Sequence, residues 1–136
     1  MQSSKLETIK FNNPNIPTPV APYVVAKKVD PTAQLIYVSG QIGIEPTTKQ
    51  IADSVEEQTI QAMNNLKTIL TEAGSSLDNI IKAIIYLVDM ADFAKMNAEY
   101  DKFFKDGNYP TRVCIAVKGL PLGAKVEIDV TAVANS

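Results

Sequence analysis

The chain has 136 residues, the length of one domain, and its 46% hydrophobic and 21% charged residues exclude wholesale disorder. It has no histidine and one cysteine, which excludes histidine-based nucleophile pairs, histidine metal ligands, internal disulfides and multi-cysteine metal clusters. Thirteen basic and fifteen acidic residues give a net charge of −2, so nucleic acid is not an expected partner.

The N-terminal residues show neither the apolar core of a signal peptide nor the arginine-rich pattern of a transit peptide. The longest apolar stretch, Ile80 to Val88, contains Lys82 and is shorter than the roughly 20 residues of a membrane-spanning helix. We therefore predict one cytoplasmic domain over residues 1–136, with no membrane partner.

Six strands and two helices are predicted along the chain. The strands are expected at about Leu6 to Phe11, Tyr23 to Val29, Leu35 to Gln41, Ile80 to Val88, Thr111 to Val117 and Val126 to Val133. The order is three strands, helix, strand, helix, two strands. It predicts an α+β fold with a six-stranded mixed sheet and both helices on one face.

The two helices have clear sequence signals. The first begins at Ser54, which forms a capping box with Glu57, and ends at Gly74. The second begins near Asp89 or Asp92 and repeats apolar residues on one face from Phe93 onward. The members of that stripe are Phe93, Met96, Tyr100, Phe103 and Phe104.

The strand from Ile80 to Val88 is apolar at both parities, so both of its faces are expected to be covered. Two helices cover only one face. We therefore predict that a second copy of the chain covers the other, which makes the protein a homo-oligomer.

Period-2 alternation places Arg112 and Cys114 on one face of their strand, and Glu127 away from the apolar side of the last strand. We expect these polar groups, with Ser39, to line the face opposite the helices. Each also has a purely structural interpretation. An arginine on a strand is often half of an ion pair, a single cysteine is more often a buried hydrophobe than a nucleophile, and the apolar stripe from Phe93 is typical of core.

The order and spacing of several segments resemble the RidA family, also called YjgF or liver perchloric-acid-soluble proteins. The most specific segments are Pro110-Thr111-Arg112-Val113-Cys114-Ile115, Leu120-Pro121 and Val126-Glu127-Ile128. Supporting segments are Ala21-Pro22-Tyr23, Val38-Ser39-Gly40-Gln41-Ile42, Leu77 to Lys82, and Asn97 to Tyr100 with Phe103-Phe104.

This resemblance implies a chorismate-mutase-like homotrimer with sites between neighbouring subunits. Arg112 and Cys114 would form one wall of each cleft, with Asn97 nearby. The other wall, from the adjacent chain, would be formed by Tyr23, Ser39, Gly40 and Glu127.

The implied activity is imine deamination: hydrolysis of 2-imino acids released by pyridoxal-phosphate dehydratases, giving 2-oxo acids and ammonia without a metal or cofactor. Arg112, Glu127 and Ser39 would be catalytic, and Arg112 would also bind substrate together with Tyr23, Gly40, Cys114 and Asn97.

Two other functions stay open. Some members of the family are described as single-strand ribonucleases or translation inhibitors, which the net charge and the lack of histidine support poorly. The other is a non-catalytic trimer that binds small carboxylates or protects proteins under stress. The preferred imine and the partner dehydratase do not follow from the sequence.

Overall fold

A computed structural model describes residues 2–136 and contains the six strands and two helices that the sequence predicts. The strands are β1 (Leu6–Thr8), β2 (Lys27–Val29), β3 (Leu35–Ile42), β4 (Ile80–Leu87), β5 (Thr111–Ala116) and β6 (Val126–Val133). The helices are α1 (Val55–Glu72) and α2 (Phe93–Asp101). The α+β fold is confirmed.

The six strands form two sheets instead of the single predicted one. Strands β3, β6, β4 and β5 make a mixed sheet in that order, with β4 and β5 parallel, while β1 and β2 form a separate antiparallel pair. A turn at Asp30, whose carbonyl accepts from the Ala33 amide at 3.0 Å, separates β2 from β3. Strand β3 pairs instead with β6.

Helix α1 begins and ends as its capping signals predict. The Ser54 hydroxyl accepts a hydrogen bond from the Glu57 amide at 3.1 Å and donates to the Glu57 carboxylate at 3.1 Å. Gly74 follows the helix with a φ of 81°, in the left-handed region that favours glycine. The predicted helix start is therefore confirmed at the level of single residues.

Helix α2 is shorter than its apolar stripe. It ends at Asp101, so Phe103 and Phe104 lie in the following turn, where the amide of Phe104 donates to the Asp101 carbonyl at 3.1 Å. Phe104 is still buried and packs on Tyr100, with 4.9 Å between ring centroids. The stripe correctly identifies core residues but overestimates the length of the helix.

Both helices pack on one face of the mixed sheet and form the core with its inward-facing residues. In β4 these are Ala83, Ile85 and Leu87, which are fully buried. Ile80 is also buried on this side, although strict alternation from Ala83 would place it on the other face, because Ile81 is an extra residue where β4 pairs with β6. Such a bulge reverses the alternation on either side of it.

No helix of residues 2–136 covers the opposite face of the sheet, which is called the open face below. Its residues alternate with the core residues of β4, β5 and β6 and include Ile84, Tyr86, Val113, Ile115, Glu127 and Asp129. At its edge, the Tyr37 side chain on β3 is 75% exposed. The open face is thus a partly apolar surface that one chain leaves uncovered.

Candidate active site

Strand β5 places Arg112 on the helix-covered side of the sheet. Cys114, two residues later, packs against the core, whereas Val113 and Ile115 are 40% and 43% exposed on the open face. The prediction that Arg112 lies opposite the helices is therefore wrong. Alternation separates the two faces of a strand, but it does not say which face the helices cover when both are apolar.

Three aromatic rings surround the guanidinium group of Arg112. Its Cζ atom lies 5.2 Å from the ring centroid of Tyr100, 5.7 Å from that of Phe93 and 5.9 Å from that of Tyr23. These distances are within the range of cation–π attraction. Two of the rings come from α2, and the third comes from the segment between β1 and β2.

Arg112 is the only arginine in the sequence, and no carboxylate among residues 2–136 pairs with it. In the part of the chain that the structure describes, it forms no ion pair, and its buried Nη1 atom has no hydrogen-bond partner. Burial lowers the pKa of Arg112, an effect opposed by the neighbouring Tyr100, Cys114 and Tyr23. An arginine nevertheless stays protonated in proteins, so the site holds a partly desolvated cation with free donors.

A cavity of about 330 Å³ lies beside Arg112. Its walls are Thr111 and Val113 of β5, Lys82 of β4, and residues of the proline-rich segment before β2, namely Pro17, Tyr23, Val24 and Val25. A 3.1 Å hydrogen bond from the Val24 amide to the Pro110 carbonyl connects that segment to the residue before β5. The cavity has room for a small carboxylic acid next to the cation.

Cys114 shares the helix-facing side of β5 with Arg112. Burial raises the pKa of its thiol, and the nearby Arg112 only partly opposes this effect. The thiol is therefore protonated at neutral pH and is a poor nucleophile. This environment agrees with the structural interpretation of the cysteine and not with covalent catalysis.

Tyr23 and Asn97 lie on the same side of the sheet as Arg112. Tyr23 contacts the guanidinium within one chain, whereas the resemblance places it on the opposite wall, so that expectation is wrong for the single chain. Asn97 lies one turn before Tyr100 on α2, and its buried Oδ1 atom has no hydrogen-bond partner among the described residues. It borders a separate cavity of about 500 Å³.

Glu127, Ser39 and Gly40 form a second group on the open face. Ser39 and Gly40 lie opposite the single residue Asp129 where β3 pairs with β6, which is a bulge. A Cβ atom on Gly40 would overlap the Oε2 atom of Glu127 and lie 2.8 Å from its Cδ. The Glu127 carboxylate can therefore keep its observed position only when residue 40 is glycine. Asp129 accepts a hydrogen bond from the Tyr86 hydroxyl at 3.3 Å.

One chain therefore does not unite the predicted catalytic residues. Arg112 lies on the helix-covered side of an edge strand, and Glu127 lies on the open face two strands away. The structure instead brings together Arg112, Tyr23 and Cys114 on one side, and Glu127, Ser39 and Gly40 on the other.

Three residues near Arg112 were not identified as site residues from the sequence. Phe93 and Tyr100 belong to the apolar stripe that correctly predicts core, and helical periodicity gives no sign that their rings also contact a cation. Lys82 interrupts the apolar run of β4. This isolated charge is the sequence feature that could have indicated a position at the cavity.

The described residues also bear on metal binding and on membrane insertion. Within residues 2–136, no group of three or more histidine, cysteine, aspartate or glutamate side chains is arranged to hold a metal ion. No helix in the same part of the chain has the length and hydropathy needed to cross a bilayer.

Comparison with known proteins gives consistent results. The model of the family described as Endoribonuclease L-PSP matches residues 13–134. A RutC family protein of Aquifex aeolicus is 42% identical over 125 residues, which cover 91% of this chain and 98% of the relative. The 2-iminobutanoate/2-iminopropanoate deaminase of Salmonella typhimurium is 37% identical over 121 residues, covering 88% of this chain and 92% of the enzyme.

Solved structures of similar proteins have the same fold as this chain. The crystal structure of E. coli TdcF with bound serine is similar to this chain with a TM-score of 0.71 and 36% identity, covering 91% of this chain and 97% of TdcF. Because both the family model and these relatives span nearly the whole chain, the expectation from the sequence motifs is confirmed: the chain belongs to the RidA (YjgF) family, whose model is described as Endoribonuclease L-PSP.

Proposed function

We propose that this protein is an imine deaminase that hydrolyses 2-imino acids to 2-oxo acids and ammonia. The observation that carries this proposal is the partly buried guanidinium of Arg112 beside a small cavity, with no ion-pair partner in the part of the chain that the structure describes. The name of the Salmonella relative, a 2-iminobutanoate/2-iminopropanoate deaminase, supports the same substrate class.

Arg112 is well suited to hold the substrate carboxylate. A guanidinium group binds a carboxylate through two parallel hydrogen bonds, which fix both the position and the plane of the ligand, whereas a lysine acts as a point charge. The surrounding rings limit access of water, and a desolvated charge pair is stronger than a solvated one. This contact would place the imine carbon at a defined position in the cavity.

The reaction needs little more than orientation and proton transfer. An imine carbon is already electrophilic, so water adds to it directly: a C–O bond forms while the electron pair of the C=N bond moves to nitrogen, which takes a proton. The hydroxyl proton of the resulting carbinolamine then passes to the nitrogen, the C–N bond breaks with its electron pair leaving on ammonia, and the C=O bond forms. We assign Glu127 as the group that accepts the proton of the attacking water and returns it to nitrogen. Ser39 would hold that water.

The opposite placement of Arg112 and Glu127 requires a second chain in each site. We propose a homotrimer in which the open face of one chain is covered by its neighbours, so that Arg112 of one subunit meets Glu127 of the next. The exposed apolar side chains on that face, including Val113 and Ile115, support an interface there.

Replacing Gly40 with alanine tests the place of the Glu127 carboxylate. The new Cβ overlaps this carboxylate, which must rotate away. The rotation is possible because the carboxylate is the far end of a flexible side chain. We expect kcat to fall about 100-fold, the cost of a misplacement of about 1 Å, with little change in the melting temperature. Gly119→Ala is the matched control, because nothing lies within 4 Å of its added Cβ. A Gly40→Ala enzyme with unchanged kcat would contradict the role of Glu127.

The test of the proposed function couples the purified protein to a threonine dehydratase. Formation of 2-oxobutanoate is followed while semicarbazide competes for the imine. We expect this protein to increase the share of imine that becomes oxo acid and to lower the share captured as semicarbazone. An unchanged partition would contradict the proposal.

RNA cleavage is the competing outcome, because it is the activity in the family's description. Cleavage of single-stranded RNA by protein freed of contaminating nucleases, together with an unchanged imine partition, would favour it.

The cytoplasm remains the predicted location of the deaminase activity, and fractionation of cells tests it.

A further inference from the structure

Within the described part of the chain, the guanidinium group of Arg112 contacts three aromatic rings, and its Nη1 atom forms no hydrogen bond. Burying a cation without a carboxylate partner is costly, and neither an ion pair nor a bond to Nη1 offsets that cost among the described residues. The contacts available to it are the rings of Tyr100, Phe93 and Tyr23, all within 6 Å of Cζ. These three rings are called the aromatic cage below.

Tyr100 is the part of the cage that the core fixes most firmly. It is 1% exposed, lies closest to the guanidinium, and packs on Phe104, which in turn contacts Tyr109. The ring therefore has one orientation, set by neighbours that do not belong to the cavity. Its hydroxyl has no hydrogen-bond partner among the described residues, and the guanidinium Cζ lies 5.2 Å from the centre of its ring.

Support by ring faces has a consequence for ligand binding. An arginine held by an aspartate or glutamate spends its N–H donors on that partner, whereas a cation–π contact uses none of them. The cage thus keeps the cation in place and leaves its donors for a carboxylate ligand. A guanidinium fixed in advance also loses less side-chain entropy on binding.

We propose that Tyr100, with Phe93, is a positioning residue for Arg112: the aromatic cage orients the guanidinium and keeps its donors free for the substrate carboxylate. The proposal rests on the proposed function in one respect, that a carboxylate binds at Arg112. The cage itself is tested without any ligand.

Because the chain contains a single arginine, labelling arginine with ¹⁵N gives one Nε–H signal in an NMR spectrum of the assembled protein. We expect ring currents to shift this signal away from that of free arginine. Tyr100→Leu and Phe93→Leu should each move it towards the free value, whereas Tyr100→Phe should retain it. Met96→Leu, a substitution at an equally buried position of the same helix, is the matched control and should change nothing.

Calorimetric titration with 2-oxobutanoate, the expected product, then measures the effect on binding. We expect Tyr100→Leu to weaken its affinity about tenfold and Tyr100→Phe to stay within about threefold of the wild type. In the deaminase assay KM should rise by a similar factor while kcat is nearly unchanged, which a general loss of structure would not produce.

The outcomes separate the two proposals. If the wild type binds 2-oxobutanoate and both leucine variants bind it equally well, the cage is overturned and the carboxylate site stands. If the wild type does not bind it, the proposed function fails and with it the role assigned to the cage. Should Tyr100→Leu fail to fold, Phe93→Leu decides the same question. A tenfold loss in Tyr100→Phe would overturn the ring-face contact, because it would assign the effect to the hydroxyl.

Discussion

Replacement of Arg112 by alanine is expected to lower kcat/KM for 2-imino acid hydrolysis by about 10- to 100-fold. A charge-assisted hydrogen bond is worth roughly 1.5 to 3 kcal/mol, and about 1.4 kcal/mol corresponds to a factor of ten. Because the carboxylate contact is made in both the ground state and the transition state, much of the loss should appear in KM. The dehydratase-coupled assay with semicarbazide competition measures both parameters.

Two controls make this result specific. Arg112→Lys keeps the positive charge but not the paired donors, so it should recover only part of the activity if the two-point contact matters. Thermal unfolding of Arg112→Ala should show no large loss of stability, since the variant removes a partly buried cation that no described carboxylate pairs with. A kcat/KM within threefold of the wild type would mean that the carboxylate clamp is wrong.

The sequence predicts the elements of this fold well where a local signal exists. The Ser54 cap, the Gly74 stop and the strand from Val126 to Val133 are all found as expected, because caps and alternation depend on neighbouring residues only. The family motifs add the identity of the polar residues. They identify Arg112 and Glu127 as the groups to examine.

What the sequence does not predict is the side of the sheet on which each group lies. The alternation in β5 is equally consistent with Arg112 facing the helices or the open face, because Val113 and Ile115 are apolar and yet exposed in the single chain. The bulges at Ile81 and at Ser39-Gly40 are also invisible to a period-2 pattern. These features arise from pairing between distant strands, which local periodicity does not contain.

The separation of Arg112 and Glu127 across the sheet leads to a second large effect, which appears when two impaired variants are combined. Arg112→Ala removes the carboxylate contact, and Glu127→Gln removes the proton acceptor, a loss of about 100-fold or more for general acid–base catalysis. Each variant alone should therefore have a kcat/KM well below that of the wild type. Co-expressed with two different tags and purified over both, the two chains form mixed trimers in which activity should return.

The expected extent of recovery follows from three-fold symmetry. Each site of the proposed trimer takes Arg112 from one subunit and Glu127 from its neighbour. In any mixed trimer, two chains are of one kind and one is of the other, so about one site in three joins an intact Arg112 to an intact Glu127. We therefore expect about a third of the wild-type kcat/KM per trimer, which exceeds that of the Arg112→Ala parent by about 3- to 30-fold and that of the Glu127→Gln parent by about 30-fold or more.

The parents purified with both tags on the same variant control for tag effects, and light scattering verifies that the mixed species is a trimer. Recovery requires that the two residues act from different chains, because a site completed within one chain lacks one of them in every subunit of the mixture. Mixed trimers no more active than the parents would contradict the inter-subunit site, and a monomer in solution would contradict the assembly itself. Restored activity would instead explain why Arg112 is left without a counter-charge in the single chain: the group that works with it is carried on the open face of the neighbour.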